Sequence, residues 1–459
     1  MEDKPATGVT ARLCEQIAGT KYETFGAPAI EAARRLVLDG IAIAIAGTEE
    51  EAIRILASHH REQGGAVQAT AIGNGFRLNT VSAAALNGAA MHVLDFEPMW
   101  SPANHALSTT LAGVLALAEA REATGREVLT ALVKGVEMQG WIRQASRQFE
   151  PLTTRFHPPG AVGPLGAAVA AAHILRLDPG QFANAIGIAA SRAGSLLANA
   201  GTMTKSTHCG HAAALGLESA LLAWRGFTAN VAVFEAAQGY VPAFYDDRFV
   251  LDEMLGFGRA PLRIVDPGYA IKMFPSQFGT HFGITAALEL HPKIPDVSAI
   301  CRVVLTAPVM TYVNRPRPKT GLEGKFSLQY TAASALLDGN VGIRTFTDAQ
   351  LARPDLQDLL GKFDLVLDPA IPGRFEEMHV LLRVELDDGH VLETRCDGPR
   401  GKWGTPPISE REHLVKIRDC LATRLRPPVA ERVIELAMQI DDLDAAGVRQ
   451  MMHLAGCFD

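Results

Sequence analysis

The sequence predicts a mainly α protein in which a large all-helical domain carries an inserted, smaller α+β lid. Three observations predict it. Ala-, Leu- and Gly-rich stretches with apolar residues at helical spacing run through residues 1–270. Short β-branched or alternating runs first appear after residue 271. Helical patterning then resumes at residue 408 and holds to residue 459. The helical domain is therefore expected over 1–270 plus 408–459, and the lid over 271–407. A chain of 459 residues is longer than one ordinary core sustains, which agrees with more than one domain.

In the first part, PAIEAARRLVLDGIAIAIAG keeps a helical period and closes at Gly47. NTVSAAALNGAAMHVLDF, HALSTTLAGVLALAEAREATG and EVLTALVKGVEMQGWIRQA follow the same pattern. So do AVGPLGAAVAAAHILRL, DPGQFANAIGIAASRAG and HAAALGLESALLAWRG. Their many Ala and Gly residues predict helices that approach closely, as in a large bundle. They share no fixed repeat length, which argues against a solenoid. In the second part AICRVVLTA (299–307) reads as a strand, and HVLLRVELDDGHVLETRC (379–396) as a hairpin turning at Asp387-Asp388-Gly389. FSLQYTAASALLDG and DAQLARPDLQDLL read as helices between them. SEREHLVKIRDCLATRL, PPVAERVIELAMQI and DDLDAAGVRQMMHLA complete the chain and are expected to pack back on the first domain.

Composition narrows the function classes. The chain is 48% hydrophobic and 20% charged, the balance of a folded protein. A net charge of −7 without a basic run argues against nucleic acid as a partner. The apolar runs are Ala/Gly-rich and interrupted by polar residues, so no membrane span is expected, and the N-terminus shows no signal-peptide apolar region. The six cysteines (14, 209, 301, 396, 420, 457) are scattered, against a disulfide framework, a zinc knuckle or an iron–sulfur cluster. A reducing cytoplasm fits that usage. There is no G-x-G-x-x-G after a strand, no P-loop and no G-x-S-x-G elbow.

Five segments carry chemistry-capable residues in apolar surroundings. HVLDFEPMWSPANHA holds His92, Asp95, Asn104 and His105, and TRFHPPGAVGPLG holds Arg155 and His157. GTMTKSTHCGHA holds Lys205, His208 and His211, YAIKMFPSQFGTH holds Lys272 and His281, and KFSLQYTAASALLDG holds Ser327, Gln329 and Tyr330. Taken singly, each has a plainer reading. A lone histidine is usually a hydrogen-bonded core or surface residue, Asp95 has the makings of a helix cap, a lysine is by default a solvated charge, and a tyrosine on an apolar helix face is usually core. Jointly they point further. Lys205 and His208 stand at the mouth of a very apolar helix, where backbone N–H groups and the helix dipole favour an anion. His105 and His157 each precede a helix in the same way. Two lysines, several histidines and one aspartate suit a small polycarboxylate, each charge-assisted hydrogen bond contributing roughly 1.5–3 kcal/mol.

At these residues the chain resembles the MmgE/PrpD family of 2-methylcitrate dehydratase, iminodisuccinate epimerase and cis-aconitate decarboxylase. The resemblance spans essentially the whole chain through HVLDFE, RFHPPGAVGPLGAA, TKSTHCGHAAALGLESALLA, the K-x-F-P segment at Lys272, YVNRPRP (312–318), and FSLQY followed by ALLDG. RFHPP, ANAGTMTKSTHCGHAA, YVNRPRP and FSLQY look most like the animal cis-aconitate decarboxylases. It implies a cofactor-free, metal-free lyase, a helical domain with an α+β lid, and a homodimer with the site in the interdomain cleft. It carries over six catalytic positions: Asp95, His105, His157, Lys205, Lys272 and Tyr330, with Met99, Asn104, His208 and Gln329 as substrate-binding neighbours.

The loop also departs from the family. Met99 stands where cis-aconitate decarboxylases have a small hydroxyl residue, Pro98 follows Glu97 where many members have a second acid, Ser101 replaces a histidine, and Ala106 follows His105 where proline is usual. All four are expected on the loop lining the site. A methionine in place of a hydroxyl removes a hydrogen-bond partner and adds bulk, and so changes which substrate fits.

The family reactions share one problem, negative charge on a carbon beside a carboxylate, and cations that hold the carboxylates spread it. The resemblance therefore implies that Lys205, Lys272 and His157 bind carboxylates. His105 is then the general acid/base oriented by Asp95, and Tyr330 donates from the lid. Decarboxylation of an aconitate-like acid leads; dehydration of a 2-methylcitrate- or citrate-like acid, iminodisuccinate-type epimerisation, and an inactive carboxylate-binding scaffold are the alternatives.

Overall fold

A computed structural model of the chain describes residues 8–149 and 154–458. It is mainly α with a small mixed sheet. The helices that position the site are α1 (Ala27–Gly47), α2 (Thr80–Val93), α3 (Ala106–Arg121), α4 (Gly125–Ala145), α5 (Pro158–Ile174) and α6 (Thr204–Trp224). Helix α3 is buried continuously from Ala106 to Glu119, as expected of a helix apolar on every side. Helix α6 packs against both α2 and α5. Its crossing with α2 is made backbone to backbone. A Cβ on Gly210 would lie 2.0 Å from the Ala85 carbonyl oxygen, and one on Gly88 would lie 2.9 Å from the Gly210 Cα. Only glycine fits such an approach.

Strand β1 (Met99–Trp100) pairs antiparallel with β2 (Tyr269–Ala270), Met99 opposite Ala270. Strands β3 (Ile300–Pro308), β4 (Phe363–Asp368), β5 (Val380–Leu386) and β6 (Val391–Cys396) form one sheet in the order β4-β3-β5-β6. The β3–β4 pair is parallel and the others antiparallel. The β5–β6 hairpin and β3 follow the sequence expectation. Strand β4 was not anticipated, and neither was the β1–β2 ribbon: two residues per strand carry no readable period. Helices α7 (Thr280–Leu290) and α8 (Leu328–Asp338) pack together, with α7 against β5 and β6.

Most of the buried apolar residues fall into two clusters. One unites α1–α6 with the closing helices α9 (Glu410–Leu421), α10 (Pro427–Met438) and α11 (Ala445–Ala455). The other unites β3, β5, α7 and α8 with Met99 and Ala270 of the short ribbon. Among the described residues no helix is long and apolar enough to cross a membrane.

Candidate active site

The site is organised by the turn that ends α2. Its backbone doubles back at Asp95, whose N–H donates to the His92 carbonyl at 2.8 Å and whose φ is +50°. Aspartate is one of the few residues other than glycine that adopts this left-handed region readily. Asp95 N-caps no helix with its side chain; its carboxylate is buried between two ammonium groups. Lys205, second residue of α6, donates to Oδ2 at 2.9 Å. Lys272, reached through the β1–β2 ribbon, donates to Oδ1 and, at 2.9 Å, to the Asp95 carbonyl. Burial alone raises the Asp95 carboxyl, but Lys205 and Lys272 outweigh it and hold the group well below the usual carboxylate range.

A second chain of bonds runs through His92. Its Nε2 lies 2.8 Å from the Lys205 ammonium, which can only donate, so Nδ1 carries the proton and donates to Glu97 Oε1 at 2.6 Å. Glu97 also accepts from the Ser108 N–H at 2.9 Å and the Ser108 hydroxyl at 2.7 Å. His105, the residue before α3, has Nδ1 3.4 Å from Glu97 Oε1 with no hydrogen-bond partner, and Nε2 4.0 Å from Asp95 Oδ1. Its ring centroid is 4.5 Å from that of His92 and 5.9 Å from that of His157. His157, the residue before α5, has Nδ1 3.1 Å from His208 Nδ1, so one of the two imidazoles donates and the other accepts. Burial, then Lys205 and the neighbouring imidazoles, hold His157 well below the usual histidine range. Burial lowers His105 as well, against the pull of Glu97, and takes His92 to about 3. The histidines are therefore neutral at pH 7.

These groups meet at a cleft of about 230 Å³ whose apolar wall comes in part from the second cluster, through Met99, Phe278 and Phe375. Asp95, Asn104, His105, His157 and Lys205 face it, with Met99 and phenylalanines as apolar wall. Residues 11–251 match the MmgE/PrpD N-terminal domain and residues 274–442 the MmgE/PrpD C-terminal domain. The chain belongs to the MmgE/PrpD family. The cis-aconitate decarboxylases of Mus musculus and Homo sapiens are each 31% identical to it, over 96% of this chain and 92% and 93% of theirs. The 2-methylcitrate dehydratase of Cupriavidus necator is 24% identical over 95% of this chain and 94% of its own.

Several MmgE/PrpD positions sit differently from the expectation. Lys272 is fully buried and does not line the cleft; its third N–H goes to the Ser276 carbonyl at 3.0 Å, so the ammonium has no donor left for a substrate. The helix start at Lys205 is not an open anion site either. The Lys205 and Ser206 N–H groups already donate to Thr202 and Met203 carbonyls at 3.1 and 3.2 Å, and the anion that answers Lys205 is the protein's own Asp95. Tyr330 lies inside the second cluster, its hydroxyl donating to the Thr345 carbonyl, and Gln329 donates to Asn314 Oδ1 at 2.8 Å; neither reaches the cleft. His208 stands behind His157 rather than on the cleft wall. Of the four departures from the family pattern, Met99 lines the cleft and Pro98 does not, whereas Ser101 donates to Glu376 and Ala106 opens α3.

Tyr312, Gln277 and Arg143 are among the cleft residues that escaped the sequence reading. Tyr312 accepts from Gln277 Nε2 at 3.1 Å and both line the cleft. Tyr312 opens the YVNRPRP motif, which is the signal that pointed to it. Arg143, in the last turn of α4, lines the cleft as well and carries no motif. His92, His105 and His157 offer nitrogens within 4.8 Å of one another, a spacing that suits a metal ion. However, His92 already uses both nitrogens, and the Lys205 ammonium occupies one of them, so a cation there would stand against a bonded positive charge.

Proposed function

We propose that this MmgE/PrpD chain is a lyase acting on a small di- or tricarboxylate, with decarboxylation of an aconitate-like acid as its reaction. The observation that carries the reading is the convergence of His105, His157, Lys205 and Asp95 on one cleft, beside full-length likeness to two cis-aconitate decarboxylases. Lys205 spends two N–H groups on His92 and Asp95, which leaves its third for a substrate carboxylate. His157 supplies a second polar contact. As the bond to the departing carboxylate breaks, CO₂ leaves and the electron pair stays on carbon, where His105 delivers a proton. A bound polyanion raises the His105 pKa and so loads it with that proton; a positioned acid/base of this kind supplies about 10²–10⁴-fold. Dehydration is the second reading, favoured by the likeness to the Cupriavidus necator 2-methylcitrate dehydratase; His105 then removes a proton and the substrate expels hydroxide.

The same reading takes residues 271–407 as a lid on the helical remainder, a homodimer as the working unit, no cofactor, and the cytoplasm as the compartment. The test is incubation of the pure protein with cis-aconitate, 2-methylcitrate, citrate and iminodisuccinate, followed by NMR. Release of CO₂ supports the first reading and loss or gain of water the second. Solvent isotope exchange at iminodisuccinate without net change moves the assignment to epimerisation, and inertness toward all four acids overturns the lyase reading.

A further inference from the structure

The charges of the cleft do not add up to an anion trap unless one more residue is included. Two ammonium groups, Lys205 and Lys272, face two buried carboxylates, Asp95 and Glu97, and the histidines between them are neutral. The other buried lysines nearby are answered too: Lys325 by Glu50 at 3.4 Å and Lys416 by Asp39 at 2.9 Å. The network that was expected to be cationic is close to neutral.

Arg143 breaks the balance. It is 3% exposed, and among the described residues no carboxylate hydrogen-bonds to it. One terminal N–H donates to the Gln148 carbonyl at 2.7 Å and the other terminal nitrogen is 3.5 Å from the Ser146 hydroxyl, while Nε has no hydrogen-bond partner. Both protein acceptors are neutral and Glu376 acts on the guanidinium only at a distance, so the buried charge has no direct ion-pair partner among the described residues, an arrangement that is costly unless an anion arrives. Arg143 and Lys205 are the cationic side chains on the cleft wall. Arg143 also borders a void of about 10 Å³ together with Asn104, whose Oδ1 is buried and unpartnered. Asn104, His105 and Arg143 each carry a buried polar atom without a hydrogen-bond partner, and all three residues line the same cleft; such atoms are rare in folded proteins.

We infer that Arg143 is a specificity-determining anchor that receives a second carboxylate of the substrate, the first being held at Lys205 and His157. The inference rests on the reading of the cleft as a carboxylate site and deepens it. The site takes acids with at least two carboxylates, and the planar guanidinium grips the second one in a forked geometry that an ammonium does not reproduce. Helix α4 alone does not explain the residue, because capping the Gln148 carbonyl requires neither burial nor a place on the cleft wall.

The experiment is calorimetric binding of tricarballylate, succinate and acetate to the full chain and to its Arg143→Gln and Arg143→Lys variants, with thermal unfolding of each recorded in parallel. Loss of a charge-assisted contact predicts tricarballylate binding roughly 10- to 100-fold weaker in Arg143→Gln, with partial recovery in Arg143→Lys. Acetate, which engages one anchor only, should bind nearly as it does to the parent protein. Equal tricarballylate affinity in parent and Arg143→Gln, with a lowered unfolding temperature, assigns Arg143 to helix capping and overturns the inference alone. A parent protein that binds none of the three acids overturns both the inference and the carboxylate reading of the cleft. Should Arg143→Gln not fold, equal affinity in parent and Arg143→Lys overturns the inference, and weakened binding supports it.

Discussion

Replacing Lys272 with methionine separates two accounts of the same lysine. The family likeness makes it a carboxylate binder; the structure gives all three of its N–H groups to Asp95 Oδ1, the Asp95 carbonyl and the Ser276 carbonyl. Methionine keeps most of the volume, so the lost quantity is the ion pair and not packing. Removing one partner of a buried pair costs about 3–5 kcal/mol. The lower end applies here, because Lys205 still meets Asp95 at 2.9 Å. Asp95 is held below its unfolded value by Lys205 and Lys272, so the stability it contributes is complete above that unfolded value and is lost as pH falls toward the folded one. Lys272→Met narrows that gap and moves acid unfolding to higher pH. The turn at Asp95 also loses its anchor, and a displacement near 1 Å costs about 10²-fold in turnover. Urea unfolding at neutral pH, an acid titration followed by near-ultraviolet circular dichroism, and steady-state kinetics on the acid that proves to be the substrate read these effects. The expected pattern is lower stability, an acid limb shifted upward and a fall in kcat with KM nearly unchanged. A raised KM with intact kcat and stability would return Lys272 to the substrate and refute the geometry argued here.

Three further outcomes follow from named contacts. His105→Ala should lower kcat by about 10²–10⁴-fold while circular dichroism and unfolding temperature stay near those of the parent, and near-normal turnover eliminates its acid/base role. Tyr330→Phe loses one hydrogen bond inside the second apolar cluster, about 1 kcal/mol, with little change in kcat, whereas Tyr312→Phe, on the cleft, should alter the kinetics more than the stability; the reverse ranking would restore Tyr330 to the site. Gly210→Ala forces a methyl against the Ala85 carbonyl and should destabilise the chain by at least 1–3 kcal/mol in urea unfolding, and a neutral result would mean that the α2–α6 crossing is looser than described.

The helical part of the fold was readable because its signal is local. A stretch such as HALSTTLAGVLALAEAR declares a buried helix by itself, and the Ala/Gly content announces close crossings that Gly88 and Gly210 realise. The β1–β2 ribbon was not readable, since Met99–Trp100 and Tyr269–Ala270 are each too short for a period and find one another only across the fold. Yet that ribbon is what brings Lys272 to Asp95. Tyr330 misled for the opposite reason. Its motif is strong, but the sequence of α8 does not say which face meets the cleft, and Ser327 capping the Tyr330 N–H at 2.9 Å fixes the ring inward.

The site taught a harder lesson about charge. Reading along the chain, Lys205 and Lys272 are unanswered cations in apolar surroundings, and an unanswered buried cation asks for a ligand. The counter-charge was 110 residues from one and 177 from the other, on a single aspartate held in an unusual backbone conformation. Local sequence therefore overstates the positive charge of a buried site whenever the fold supplies carboxylates from a distance. The converse error is quieter. Arg143 looks like an ordinary basic residue in the last turn of a helix, where a cation suits the dipole, and nothing in WIRQA marks it. Only in three dimensions does it emerge that the lysines are paired and the arginine is not. The residue with surplus charge, rather than the residues in the recognisable motifs, is then the one to vary when asking which acid this cleft prefers.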